Sequence, residues 1–259
     1  MSIELLSQII IDNWYIVLLF FAVAVLYSSV GFGGGSSYLA ILALTGIAYT
    51  QIRSTALLCN IIVVIGNVFL FQRKGLYNWK KVIPLVVFSV PLAFVGGYLR
   101  ISQTFFFILL GFTLMFAAIT MWISKKIISD GEKKTQLSLP KNAAYGGFIG
   151  FISGMVGIGG GIFLAPLLHL THWDTPKRIA ATASLFILVN SISGLAGQYV
   201  NPDFLIDWKL TSVLLVTVLF GGFIGNQLSN RFFSPIQLKK ATAILIAFVS
   251  IRILVKYLF

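Results

Sequence analysis

Apolar residues run in eight long blocks, about 14–48, 54–71, 82–99, 104–123, 143–171, 179–199, 210–229 and 236–258. Most reach or pass the roughly 20 residues that carry a helix across a bilayer, so the pattern predicts an all-α polytopic membrane protein. A polar stretch, Ser124 to Asn142, separates the first four blocks from the last four and holds Lys125, Lys126, Asp130, Glu132, Lys133, Lys134, Pro140 and Lys141. Residues 1–123 and 143–259 are read as two repeats, with 124–142 as a linker and the one candidate for a mobile loop.

The same break interrupts two of the blocks. Gly31-Phe32-Gly33-Gly34-Gly35-Ser36-Ser37 follows Val30, and Gly157-Ile158-Gly159-Gly160-Gly161-Ile162 follows Val156, 126 residues later. Each glycine costs about 1 kcal/mol against Ala in a helix interior, so neither helix survives the cluster. The backbone groups freed there must be buried in protein or line a cavity, because hydrocarbon cannot pair with them. Paired Gly-interrupted segments in matching positions of two halves point to a transporter's binding site. Other segments repeat as well: Ile52-Arg53-Ser54-Thr55-Ala56 matches Ile179-Ala180-Ala181-Thr182-Ala183, and Asn78-Trp79-Lys80 matches Asp207-Trp208-Lys209. Each half thus holds a Gly-interrupted helix, re-entrant or discontinuous, plus three spanning helices.

Basic residues choose between parallel and inverted repeats. If each broken block crosses once, the richer side holds 12 of the 19 Lys and Arg; if each returns as a hairpin, it holds 14 of 19. The hairpin version also leaves the Lys/Arg-free N-terminus and the acidic 201–207 loop on the poorer side. The positive-inside rule therefore favours inverted repeats, with both termini outside and the linker in the cytoplasm.

Composition narrows the chemistry. Apolar residues make up 58% and charged ones 10%, and the net charge of +12 sits at the ends of apolar runs, as topology signals and not as a nucleic-acid surface. No cleavable signal is evident, since the first segment lacks a basic start and carries Glu4 and Asp12. The single cysteine, Cys59, excludes an intramolecular disulfide, and no metal-ligand spacing or cofactor motif is found. The expected partners are a small anion and the lipid bilayer; the oligomeric state stays open, a homodimer being one arrangement. Trp79 and Trp208 read as interface anchors.

All seven acidic residues lie in termini, linkers or loop ends. Cation transporters keep a carboxylate in the membrane, so an anion is the better substrate. Half-helices beginning at Ser36 and Ile162 would aim positive N-termini at the broken loops, where free Gly N–H groups cradle an oxyanion. The expected binding residues are Gly33, Gly34, Gly35, Ser36, Ser37, Thr55 and Asn60 in the first half, with Asn67 as a further candidate. Gly159, Gly160, Gly161, Thr182, Ser184 and Asn190 are expected from the second half. Arg53 on one face and Lys177-Arg178 on the other would form a basic lip at each mouth. Gly146, Gly150 and Gly154, like Gly221 and Gly225, recur every four residues and suit close helix contact.

The second cluster with its continuation, Gly157-Ile158-Gly159-Gly160-Gly161-Ile162-Phe163-Leu164-Ala165-Pro166, resembles the G-x-G-G-G…P signature of the TauE/SafE sulfite and organosulfonate exporter family. The first cluster keeps the glycines but has Ala40 in place of the proline. Ala180-Ala181-Thr182-Ala183-Ser184-Leu185 resembles the small, hydroxyl-bearing start of the next helix in that family, whereas Leu57 replaces the serine in the first half. The resemblance implies an inner-membrane permease for sulfite, sulfoacetate or related small sulfonates, working as a secondary transporter or potential-driven facilitator. No Gly-Lys-Ser/Thr phosphate loop is present. The alternatives are an anion channel and an intramembrane hydrolase with Ser36 as nucleophile and His169 as base.

Overall fold

The computed structural model describes residues 3–123, 139–228 and 235–258, and the regular elements among them are all helices. In order they are α1 (Ile3–Asp12), α2 (Trp14–Ser29), α3 (Gly35–Ala43), α4 (Tyr49–Arg73), α5 (Trp79–Tyr98) and α6 (Gln103–Ile123). The second half holds α7 (Leu139–Val156), α8 (Gly161–Leu170), α9 (Pro176–Val200), α10 (Trp208–Leu228) and α11 (Pro235–Leu258). Both glycine clusters split their apolar block into two helices. Two details differ from the sequence reading: α1 precedes the first block, and residues 139–142 already belong to α7. The rest of the linker and Arg231 lie outside the described residues.

Among the described residues, five helices are long and apolar enough to cross a bilayer: α4, α5, α6 (over Gln103–Thr120), α9 and α10. Their outer faces suit lipid. Phe112, Phe116 and Ile119 of α6 and Val216, Phe220 and Phe223 of α10 are all exposed, a density of apolar surface that a water-soluble monomer does not carry. Trp79 and Trp208 are exposed at the starts of α5 and α10.

Glycine sets how closely the helices approach. A Cβ on Gly146, Gly150 or Gly154 of α7 would stand 2.3, 2.5 or 2.0 Å from the carbonyls of Leu85, Ser89 or Ala93 on α5. Gly225 of α10 lies as tightly on Val25 O of α2, where a Cβ would be 2.3 Å away. These contacts are backbone on backbone, the packing that small residues permit in lipid.

The registers also give directions. Residue numbers rise together along α5 and α7 (Leu85 with Gly146, Ala93 with Gly154), so these helices are parallel. The same holds for α5 and α9, through Ser89–Asn190 and Tyr98–Asn201. It holds for α10 and α2 (Gly221 with Phe21, Gly225 with Val25) and for α10 and α4 (Thr55 with Thr211, Gly66 with Asn226). In contrast α4 and α9 are antiparallel: Leu57 lies at Gly194, while Phe71 and Ser184 meet at Gly31. Helices α6 and α11 are antiparallel too, with Phe107 on Tyr257 and Gly111 on Ser250. The halves interlock, since α5 of the first packs on α7 and α9 of the second, and α10 of the second on α2 and α4 of the first.

Candidate functional site

The two short helices begin where the glycines end. Gly34 caps α3 at φ 89°, and Gly160 caps α8 at φ 82°, a left-handed conformation that side-chain-bearing residues adopt only at a cost. α3 starts at Gly35 and α8 at Gly161, one residue earlier than the sequence reading placed them. Along α4, the first loop meets Phe71 at Gly31 and Asn60 at Gly33 and Gly35, and the chain then returns to Tyr49, so α3 runs against α4. Likewise Gly159 meets Ser191, Gly161 meets Ile187, and the chain returns to Pro176, so α8 runs against α9. Because α4 and α9 are themselves antiparallel, the N-termini of α3 and α8 face one another.

Asn60 stands between them. It is fully buried halfway along α4 and donates from Nδ2 to Ile158 O at 2.9 Å, tying the first half to the second loop. A Cβ on Gly33, Gly35 or Gly159 would lie within 3 Å of the Asn60 amide, and one on Gly35 would lie 2.7 Å from Ile158 O. The backbone N–H groups of Gly33, Gly34, Gly35 and Ser36 have no acceptor among the described residues, and neither do those of Gly159, Gly160, Gly161 and Ile162. Asn60 Oδ1 is also unpaired. Two positive helix ends and the eight unpaired amide donors of their loop–helix junctions therefore lie in one buried region around Asn60, which suits an oxyanion.

The other sequence candidates divide. Ser184 donates to Gly31 O and so pins the first loop to α9, and Asn67 reaches Phe32 O at 3.5 Å. Ser36 is buried in the first turn of α3, and Ser37 pairs with the Tyr27 hydroxyl at 2.9 Å. Thr55 bonds Thr211 on α10 at 3.0 Å, and Asn190 donates to Ser89 on α5 and to Phe186 O; both are interhelical ties away from the loops. Thr182 is buried with its hydroxyl unpaired. Gly34 and Gly160 do not face Asn60: a Cβ would strike Val23 at the first and Phe186 at the second.

The expected basic lips are also altered. Arg53 is set back from the surface, 3% exposed against the second loop, with its Cα 3.2 Å from a Cβ placed on Gly157. Arg178 leans on Asp174 at 3.9 Å, and Lys177 is exposed. Ser191 escaped the sequence reading. Its unpaired, fully buried hydroxyl lies 2.8 Å from a Cβ on Gly159, and its place on the helical face of Ser184 and Ile187 was the available signal.

Comparison with known proteins agrees with this architecture. The chain is 32% identical to a probable membrane transporter protein of Sinorhizobium fredii, y4hK, over 91% of this chain and 95% of that one. It is 25% identical to the probable membrane transporter protein MJ0441 of Methanocaldococcus jannaschii, covering 85% and 86%. It is 26% identical to YjnA of Bacillus subtilis, also a probable membrane transporter protein, covering 90% and 96%. No solved structure matches. The family model for the sulfite exporter TauE/SafE matches residues 16–253, nearly the whole of the helical bundle, and the chain belongs to that family of membrane proteins.

Proposed function

We propose that this membrane protein is a transporter of small sulfur oxyanions, sulfite or short sulfonates, that holds its substrate between the N-termini of α3 and α8. The observation that carries this reading is the meeting at Asn60 of two loop–helix junctions that together hold eight unpartnered amide donors. The only buried acid among the described residues, Asp174, is engaged by Lys81 and Arg178 in the α8–α9 loop. The halves act as inverted repeats in a cell inner membrane, a reading supported by the antiparallel α4–α9 pair and by the basic residues of the sequence. Transport follows the substrate gradient and the membrane potential, which drives a monoanion out of an inside-negative cell with about 2.3 kcal/mol per 100 mV.

The test is sulfite efflux from proteoliposomes with the voltage set by potassium and valinomycin. An inside-negative potential should speed efflux. Asn60→Asp, which sets a carboxylate where the two positive helix ends meet, should abolish it while the protein still folds, because negative charge is welcome at a helix N-terminus but excludes a second anion. A folded Asn60→Asp variant that exports sulfite at the wild-type rate would overturn the site. Unitary currents in planar bilayers would instead identify a channel, and loss of a hydrolytic activity on Ser36→Ala would identify an enzyme.

A further inference from the structure

A polar pocket opens at the end of the bundle where α4 begins, and Arg53 and Gln198 form its inner wall. Arg53 is 3% and Gln198 4% exposed, whereas Arg100 and Asp203 at the rim are open to solvent and pair loosely at 3.8 Å. No carboxylate reaches Arg53 among the described residues. Its Nη2 donates to Gly97 O and Gly154 O, in the last turns of α5 and α7, both at the long limit of 3.4 Å. Arg53 Nε and Gln198 Nε2 are buried without any acceptor. The neighbouring polar groups are already used: the Tyr49 hydroxyl donates to Ile101 O, and the Asn201 amide donates to Tyr98 O and accepts from the Asp203 N–H.

The unpaired groups on the inner wall are therefore donors beside a permanent positive charge. Leaving such groups buried and unpaired costs free energy, more for charged ones, and a planar guanidinium fork fits an oxyanion. The pocket has no like counterpart in the other half. By the repeat offset, Arg53 corresponds to Ala180 and Gln198 to Phe71, whose ring lies 2.6 Å from a Cβ placed on Gly31. One hairpin tip thus abuts an apolar ring and the other abuts a guanidinium.

We propose that Arg53 and Gln198 form a second binding site for a small oxyanion, distinct from the loop site and confined to the face on which α4 begins. It rests on the transport reading above and serves as the place of capture or release next to the second hairpin.

The experiment titrates sulfite calorimetrically into the full-length protein in lipid nanodiscs. Gln198→Glu should weaken binding at this site at least tenfold without lowering the melting temperature, because the new carboxylate pairs with the guanidinium and occupies the place of the anion. Arg53→Lys keeps the charge between the helix ends but loses the fork, and should also weaken binding about tenfold. Asn60→Asp, which blocks the loop site, should leave this binding in place while abolishing transport. Binding unchanged in folded Gln198→Glu or Arg53→Lys protein overturns the proposal and leaves the loop site standing. Sulfite binding that vanishes in Asn60→Asp alone does the same. Wild-type protein that binds no sulfite overturns both readings together.

Discussion

At the scale of single residues, the glycines of one cluster have different tasks. Gly33, Gly35 and Gly159 leave room for the Asn60 amide, whereas Gly34 and Gly160 turn the chain and present their missing side chain to apolar neighbours. Gly34→Ala should therefore cost stability in two ways: about 1–2 kcal/mol for a left-handed backbone with a Cβ, and about 1–3 kcal/mol for crowding a filled core. The added carbon would meet Val23 at 2.8 Å and the Tyr38 ring at 3.2 Å. Gly46 separates these effects, since its φ is 76° and nothing lies within 4 Å of its missing Cβ. Thermal unfolding of purified Gly34→Ala and Gly46→Ala should show the larger loss at Gly34. Equal losses would mean that the contact with Val23 relaxes at no cost.

Among elements, the α8–α9 connection shows how a return loop is anchored. The Asp174 side chain is 2% exposed and accepts from the Thr175 N–H at 2.8 Å and from Lys81 Nζ at 3.3 Å, with Arg178 at 3.9 Å. Lys81 also donates to Trp173 O at 2.7 Å, so the start of α5 clasps the loop through two residues. Burial alone would raise the Asp174 carboxyl, but the Thr175 N–H and the Lys81 and Arg178 charges outweigh it and hold it below its ordinary value. A carboxyl depressed on folding stabilises fully above its unfolded value of about 3.9 and loses that stabilisation as pH falls through the folded value. Asp174→Asn should thus lower stability near neutral pH by about 1–3 kcal/mol. The gap in melting temperature from wild type should narrow as the pH is taken down toward about 3. A gap independent of pH would assign the loss to packing instead of charge.

For the whole molecule, the interlocked halves settle which helices point the same way. α2, α4 and α10 run together, and α5, α7 and α9 run against them. In a bilayer this places the end of α6 and the start of α7 on the side where α4 ends, with Arg73, Lys74, Lys80 and Lys81, and the end of α11 on the other. The positive-inside rule predicts that this first side is the cytoplasm. Reporter fusions should accordingly find the linker cytoplasmic and the C-terminus outside. Both reporters on one side would contradict the antiparallel packing of α6 and α11.

The sequence alone determined the material: eight apolar blocks free of carboxylates, and two glycine breaks in matching places. These are legible because bilayer thickness and the intolerance of helices for clustered glycine act on local stretches of chain. Helix contact at Gly146, Gly150 and Gly154 is legible for the same reason, since it repeats with the period of the helix. Pro140 and Lys141 look like loop residues and yet suit a first turn of α7, so the helix begins inside the polar stretch. Only the tertiary structure decided which polar residues meet. Asn60 and Asn190 are equally costly to bury, but one stands between the two loops and the other ties α9 to α5. Arg53 and Arg178 both follow a broken block; one is enclosed by helix ends and the other is held by Asp174. The physical reason is that these outcomes depend on how α4 and α9 cross, a contact between residues more than 100 positions apart that no local pattern encodes.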